Sequence, residues 1–306
     1  MKTLKNSVQD LIKTRTSCRS YIEKPIPIEK QTIINDFLHS NLKGPFHSNT
    51  RFKLVAATGN DCEELKKLGT YGFIKGATGF IVGAVDKHSE KNMEDYGYTM
   101  EKIILLATDM DLGTCWIGGT FNKSTFAQKI SIKENEILPA VAAIGNKMTR
   151  RTTFDSVVRW VAGSKNRMTW DKLFFINDFD TPILQKTGAD YEILLEMIRL
   201  GPSASNKQPW RIIKNQDENI FHFYLQRSKN YNKSIKLLNL SDLQRIDMGI
   251  AMCHFELCVK EMDLLGQWKN IDPQLPALPE LTEYIISWVG ENNAENKIVK
   301  NKANIL

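Results

Sequence analysis

The 306-residue chain has only five cysteines, Cys18, Cys62, Cys115, Cys253 and Cys258, and none forms a CxxC pair. An odd number of scattered thiols in a chain of this length argues against a disulfide framework and gives no zinc-site spacing. His254 is followed by Phe-Glu-Leu, so the HExxH pair of a zinc hydrolase is also missing, and no metal is expected. No stretch approaches the roughly 18 apolar residues that span a bilayer. The opening residues MKTLKNSVQDLIKT are polar where a signal peptide needs an apolar centre. A cytoplasmic protein without a membrane partner is expected. No G-x-G-x-x-G follows a strand-like run and no P-loop is present, which removes a separate Rossmann domain. The net charge is +6, yet the basic residues are dispersed, so nucleic acid is not an expected partner.

What is present is the balance of a globular protein, 42% hydrophobic and 25% charged. It also has an unusual polar loop. GPSASNKQPW, residues 201–210, follows ADYEILLEMIRL, which is apolar at helical spacing through Tyr191, Leu194, Leu195 and Ile198. Gly201 and Pro202 therefore stop a helix. Ser203 and Ser205 either satisfy the turn's own backbone or serve a ligand; the loop alone leaves both open. A nucleophile elbow is excluded, because Ser205 stands where G-x-S-x-G needs glycine and no strand precedes Gly201.

The chain also repeats itself. GPFHSNTRFKLV at 44–55 parallels GPSASNKQPWRII at 201–213, both reading Gly, Pro, two variable residues, Ser, Asn. ATDMDLGTCW at 107–116 parallels VKEMDLLGQW at 259–268, and ILPAVAAIGN parallels EYIISWVGEN. The order is the same in both halves, so a pseudo-symmetric pair is expected. The fold class is α+β, with helices near 4–16, 28–42, 93–111, 190–199 and 241–265. Strands are expected near 51–58, 78–85, 136–144, 211–214, 220–225 and 283–289. The polar tail ENNAENKIVKNKANIL has no clear period.

Near the N-terminus, Arg15, Ser17 and Arg19 alternate at the end of a helical run. Such a run is either a solvated surface or a phosphate cradle built on charge-assisted hydrogen bonds of about 1.5–3 kcal/mol each. Lys165 and Arg167 form a second cationic pair. Taken together, Arg15-Thr16-Ser17-Cys18-Arg19, GPSASNKQPW, DLGTCWIGG at 111–119, AAIGN and Lys165-Asn166-Arg167 resemble the motifs of the FMN-dependent nitroreductase superfamily. The resemblance covers nearly the whole chain. It is to the branch in which two nitroreductase-like halves, here 1–175 and 176–306, are fused and mimic the family homodimer.

The resemblance implies one FMN held between the halves. Arg15, Thr16, Ser17, Arg19, Lys165 and Arg167 would grip the cofactor from the first half. Pro202, Ser203, Ser205, Asn206 and Gln208 would reach it from the second. Gly118 and Gly119 match the stretch whose backbone supports the flavin N5 edge. Many family members carry an acidic residue where Gly118 stands, so substrate preference does not follow. The implied reaction is ping-pong hydride transfer from NAD(P)H through FMN to a nitroaromatic, quinone or similar small-molecule acceptor. No catalytic side chain is expected, since the cofactor carries the chemistry. A non-catalytic FMN-binding sensor or store is the alternative. The second loop, with Phe46 and His47 after Pro45, has no RxSxR or KxR partner, so a degenerate second site is expected, and the fusion of two halves removes the need for a homodimer, so a monomeric chain is expected.

Overall fold

In this computed structural model, residues 4–40, 42–57, 73–119, 121–148, 166–184, 191–231 and 240–291 are described. Ser7 caps α1 (Val8–Thr14) by accepting the Asp10 N–H, and Arg15 closes it by donating its own N–H to the Leu11 carbonyl. Strand β1 (Tyr21–Ile22) and α2 (Ile28–His39) follow. Next come β2 (Thr50–Ala56), β3 (Gly79–Asp86) and the long α3 (Asn92–Asp109). The chain continues through β4 (Leu112–Ile117), α4 (Lys123–Lys129), β5 (Glu136–Ile137) and β6 (Val141–Lys147). The remaining elements are β7 (Phe174–Ile176), α5 (Tyr191–Arg199), β8 (Trp210–Lys214), β9 (Ile220–Gln226), α6 (Leu243–Glu261), β10 (Gly266–Lys269) and β11 (Thr282–Gly290).

Each expected helix is found, with ends trimmed by caps. The strand expected at 136–144 is two, β5 and β6, separated around Pro139, which has no N–H for a ladder. Sequence periodicity missed β1, β4, α4, β7 and β10. For β4 and β10 the reason is local. The helix gives way to the strand within a few residues and without a glycine turn, because Asp111 (φ 58°) and Asp263 (φ 54°) take the left-handed conformation that reverses the chain. The polar tail beyond residue 291 lies outside the described residues.

Both sheets are built in one order. The first runs β4, β6, β3, β2 and the second β10, β11, β9, β8, every neighbouring pair antiparallel. The additions differ: β1 joins β6 and β5 joins β3 in the first sheet, whereas β7 lies parallel to β8 in the second. The repeated sequences thus occupy matching places, the Gly-Pro loops before β2 and β8 and the Met-Asp-Leu stretches before β4 and β10.

The long helices α3 and α6 pack against each other and are buried almost all round, as their mostly apolar sequences require. They approach most closely at two glycines. A Cβ on Gly97 would lie 2.1 Å from the Ile246 carbonyl oxygen, and one on Gly249 would lie 1.9 Å from that of Glu94. A bidentate ion pair flanks the crossing, Arg245 Nε to Glu94 Oε1 at 2.8 Å and Nη2 to Oε2 at 2.7 Å. At the other end, Asp109 accepts the Lys5 and Asn6 N–H groups while Glu261 accepts those of Val8 and Gln9. These carboxylates suit the positive end of α1 and set where Arg15 emerges.

Candidate functional site

The run from Arg15 to Arg19 leaves α1 extended and pairs with β4: Ser17 bridges Thr114, and the Cys18 N–H donates to the Thr114 carbonyl at 2.8 Å. Alternate residues of an extended segment share a face. Arg15, Ser17 and Arg19 accordingly come to one cavity of about 410 Å³, with Thr16 also at its wall. Gly118, Gly119 and Trp116, from β4 and the turn after it, line it too. The opposite side is the loop Pro202, Ser203, Ala204, Ser205 and Asn206 together with Leu243, Ile246, Asp247 and Ile250 of α6. The volume lies in the range of small-molecule sites, roughly 300–1,000 Å³.

The arginines are the informative groups. Arg15 is 8% exposed, and its Nε lies 3.6 Å from Oε1 of the fully buried Glu101, too far for a hydrogen bond. Among the described residues, Arg15 Nε and Arg19 Nη1 are buried N–H donors without a hydrogen-bond acceptor. Such donors are costly unless something else satisfies them. Glu101 itself accepts the Trp116 Nε1–H at 2.8 Å and faces His254 Nε2 at 3.0 Å, while His254 Nδ1 lies 3.0 Å from the Met197 carbonyl. One carboxyl thus ties two cavity residues, Arg15 and Trp116, to the core between α3 and α6.

Arg167 reaches the cavity and spans to the loop, donating from Nη1 to Asn206 Oδ1 and from Nη2 to the Leu200 carbonyl at 3.1 Å. Asn206 Nδ2 in turn donates to the Asn166 carbonyl at 2.8 Å. Gln208 does not line the cavity. It is 1% exposed and braces the loop from behind, its Oε1 accepting the Met168 N–H and its Nε2 donating to the Asn206 carbonyl. Ser203 serves its own turn, accepting the Gln208 N–H at 2.9 Å, while still reaching the cavity wall. Lys165 lies outside the described residues. Ser205, Asn206 and Gln208 all have positive φ, a concentration of strain that marks a shaped loop.

Sequence reasoning missed the α6 wall and Asp247. A signal was available: Asp95-Tyr96-Gly97 and Asp247-Met248-Gly249 stand at the same distance before the two Met-Asp-Leu stretches, a fourth piece of the repeat. Each aspartate holds the Gly-Pro loop that precedes it in the chain. Asp95 accepts the Phe46 and Ser48 N–H groups at 2.9 and 2.7 Å, and Asp247 accepts that of Ala204. Phe46 packs into the main core, so the first loop is spent on packing where the second borders a cavity.

A family model described as "Putative TM nitroreductase" matches residues 7–259. The chain belongs to this family. Among solved structures, a putative nitroreductase from Thermotoga maritima has 18% sequence identity and a TM-score of 0.55, with 94% of this chain and 96% of that one covered. This nitroreductase-family fold therefore extends over almost the full chain. An FMN-dependent nitroreductase from Clostridium difficile has 22% identity, covers 46% of this chain and 88% of its own, and has a TM-score of 0.37. A nitroreductase with bound FMN from Bacteroides fragilis has 20% identity, 48% and 94% coverage, and a TM-score of 0.38. No curated protein matches. Among the described residues, no helix is long and apolar enough to cross a membrane.

Proposed function

We propose that this nitroreductase-family chain is an FMN-dependent oxidoreductase that takes hydride from NAD(P)H and passes it to a nitroaromatic, quinone or similar acceptor. The observation that carries this reading is the convergence of three guanidinium side chains, Arg15, Arg19 and Arg167, on one cavity. An anionic ligand in the cavity is complementary to these cations, and a flavin phosphate is such a ligand. Bound FMN would supply the hydride-accepting and hydride-donating centre that amino-acid side chains lack.

The protein's share is binding and orientation. Arg15, Thr16, Ser17, Arg19 and Arg167, with Lys165 by resemblance, hold the phosphate side. Pro202, Ser203, Ser205 and Asn206 close the cavity from the second half. The N–H groups of Gly118 and Gly119 supply preorganised dipoles where negative charge develops, and glycine permits close approach. Leu243, Ile246 and Ile250 exclude water from that space.

Residues 1–175 and 176–306 are, in this proposal, two fused copies of one half. The matched sheet orders and the reciprocal glycine contacts of α3 and α6 support it. A monomer with one working site follows. Asn206→Ala removes both ties to the 166–167 segment and is expected to weaken FMN binding about tenfold, on the order of 1.4 kcal/mol. Asn49→Ala, in the matching loop, leaves FMN affinity unchanged. Flavin fluorescence titration of both variants checks this, and equal effects would mean two working sites.

Steady-state oxidation of NADH and NADPH with several quinones and nitroaromatics tests the activity. Parallel double-reciprocal lines are expected, because donor and acceptor alternate in one cavity. A flavin-loaded protein with no turnover on any acceptor would support a non-catalytic FMN-binding role instead.

A further inference from the structure

Asp247 borders the cavity and, beyond accepting the Ala204 N–H of the 202–206 loop, has no role assigned above. It lies one helical turn beyond Leu243, whose side chain meets the Cβ position of Gly118 at 2.7 Å. Positions i and i+4 share a helix face, so Asp247 lies on the same cavity side of α6 as Leu243, with its carboxyl against the Ala204 N–H.

Its counterpart Asp95 shows what is different about it. Asp95 has a separate backbone N–H on each oxygen, from Phe46 and Ser48. Asp247 has one N–H for both, that of Ala204 at 3.0 Å to Oδ1 and 3.1 Å to Oδ2. Ser205, the counterpart of Ser48, takes positive φ and gives Asp247 no bond. An ionised carboxylate has about four acceptor sites and, when buried, requires strong compensation. Asp247 is 2% exposed, and among the described residues no cation bonds to it.

We propose that Asp247 is a catalytic acid of the oxidative half-reaction: its neutral carboxyl donates a proton to the acceptor as that acceptor receives hydride. This rests on the oxidoreductase reading. For a quinone, hydride originating from the reduced nicotinamide and delivered to one oxygen leaves the other as a phenolate. The Asp247 O–H bond breaks, its proton forms the second quinol O–H, and the carboxylate regains a proton from water.

Burial pushes the Asp247 carboxyl well above the usual carboxylate range; the Ala204 N–H opposes this and Asp242 at the α6 N-terminus adds to it. The Tyr231 hydroxyl also faces it electrostatically, and Arg15, Arg19 and Arg167 line the same cavity. The neutral acid is lost as pH rises through that raised pKa. The rate of the proton-dependent step falls in that direction.

Infrared difference spectra of wild type against Asp247→Asn, at neutral pH and without flavin, read the carboxyl directly. A protonated-carboxyl C=O band present in wild type and missing from the variant is expected. Stopped-flow reoxidation of the reduced, FMN-loaded proteins by a quinone then gives the rate. At saturating FMN the variant is expected to be about a hundredfold slower in reoxidation and to lack the high-pH fall. Asp247→Glu restores part of the rate. An ionised Asp247 in the infrared spectrum, or wild-type reoxidation and pH dependence in Asp247→Asn, overturns the proposal. Failure to bind flavin would overturn the catalytic role together with the oxidoreductase reading, while the infrared band would still report whether the carboxyl is held neutral.

Discussion

Gly249→Val should destabilise the fold by about 3 kcal/mol or more, at the upper end of overpacking effects. The added Cβ would lie 1.9 Å from the Glu94 carbonyl oxygen and 2.6 Å from the Tyr98 nitrogen, both backbone atoms of α3, so no side-chain rotation relieves the clash. The helices must move apart, and the paired contact at Gly97, 2.1 Å from the Ile246 carbonyl oxygen, opens with them. At roughly 2–4 °C per kcal/mol for a chain of this size, melting falls by about 10 °C. Gly119→Ala is the control, since its Cβ meets only the end of the Leu240 side chain at 3.1 Å and should cost far less. Thermal denaturation of the two variants checks this, and equal stability would contradict a backbone-to-backbone crossing as the centre of the fold.

Arg15→Ala and Arg19→Ala should each weaken FMN binding by about 1.5–3 kcal/mol, roughly ten- to a hundredfold, the worth of a hydrogen bond to a charged group. Riboflavin has the same ring system without the phosphate. Its affinity should therefore change little in either variant. That comparison separates loss of the anion contact from general disturbance of the cavity, which would weaken both ligands alike. Equal losses for FMN and riboflavin would move the arginines away from the phosphate, and unchanged FMN affinity in both variants would remove the cradle.

Much of the architecture was legible in the sequence because helical periodicity and the repeated Gly-Pro and Met-Asp-Leu stretches are local signals. The long helices α3 and α6 carry apolar residues on every side, and that alone places them in the interior. The family was legible from five short motifs, of which the Arg15 to Arg19 run and the 202–206 loop meet in space although nearly the whole first half separates them. What stayed hidden was set by tertiary contact. Strands β4 and β10 follow their helices without punctuation, and the three residues of β7 are too few to show a period. Asp247 lies in an apolar helical run where only the repeated Asp-x-Gly spacing signals it, and its shared hydrogen bond at a cavity wall marks it out. The place of Gln208 in the loop suggests a ligand contact, yet its amide turns inward to Met168 and Asn206.

The central claim is one asymmetric flavin site made from two unequal halves. Its most direct test is the visible absorption spectrum of the purified protein after incubation with FMN and removal of free flavin, with bound flavin counted per chain. The account predicts about one FMN per chain. Two per chain would mean that the 44–49 loop also builds a working site, and none would contradict the flavin assignment itself.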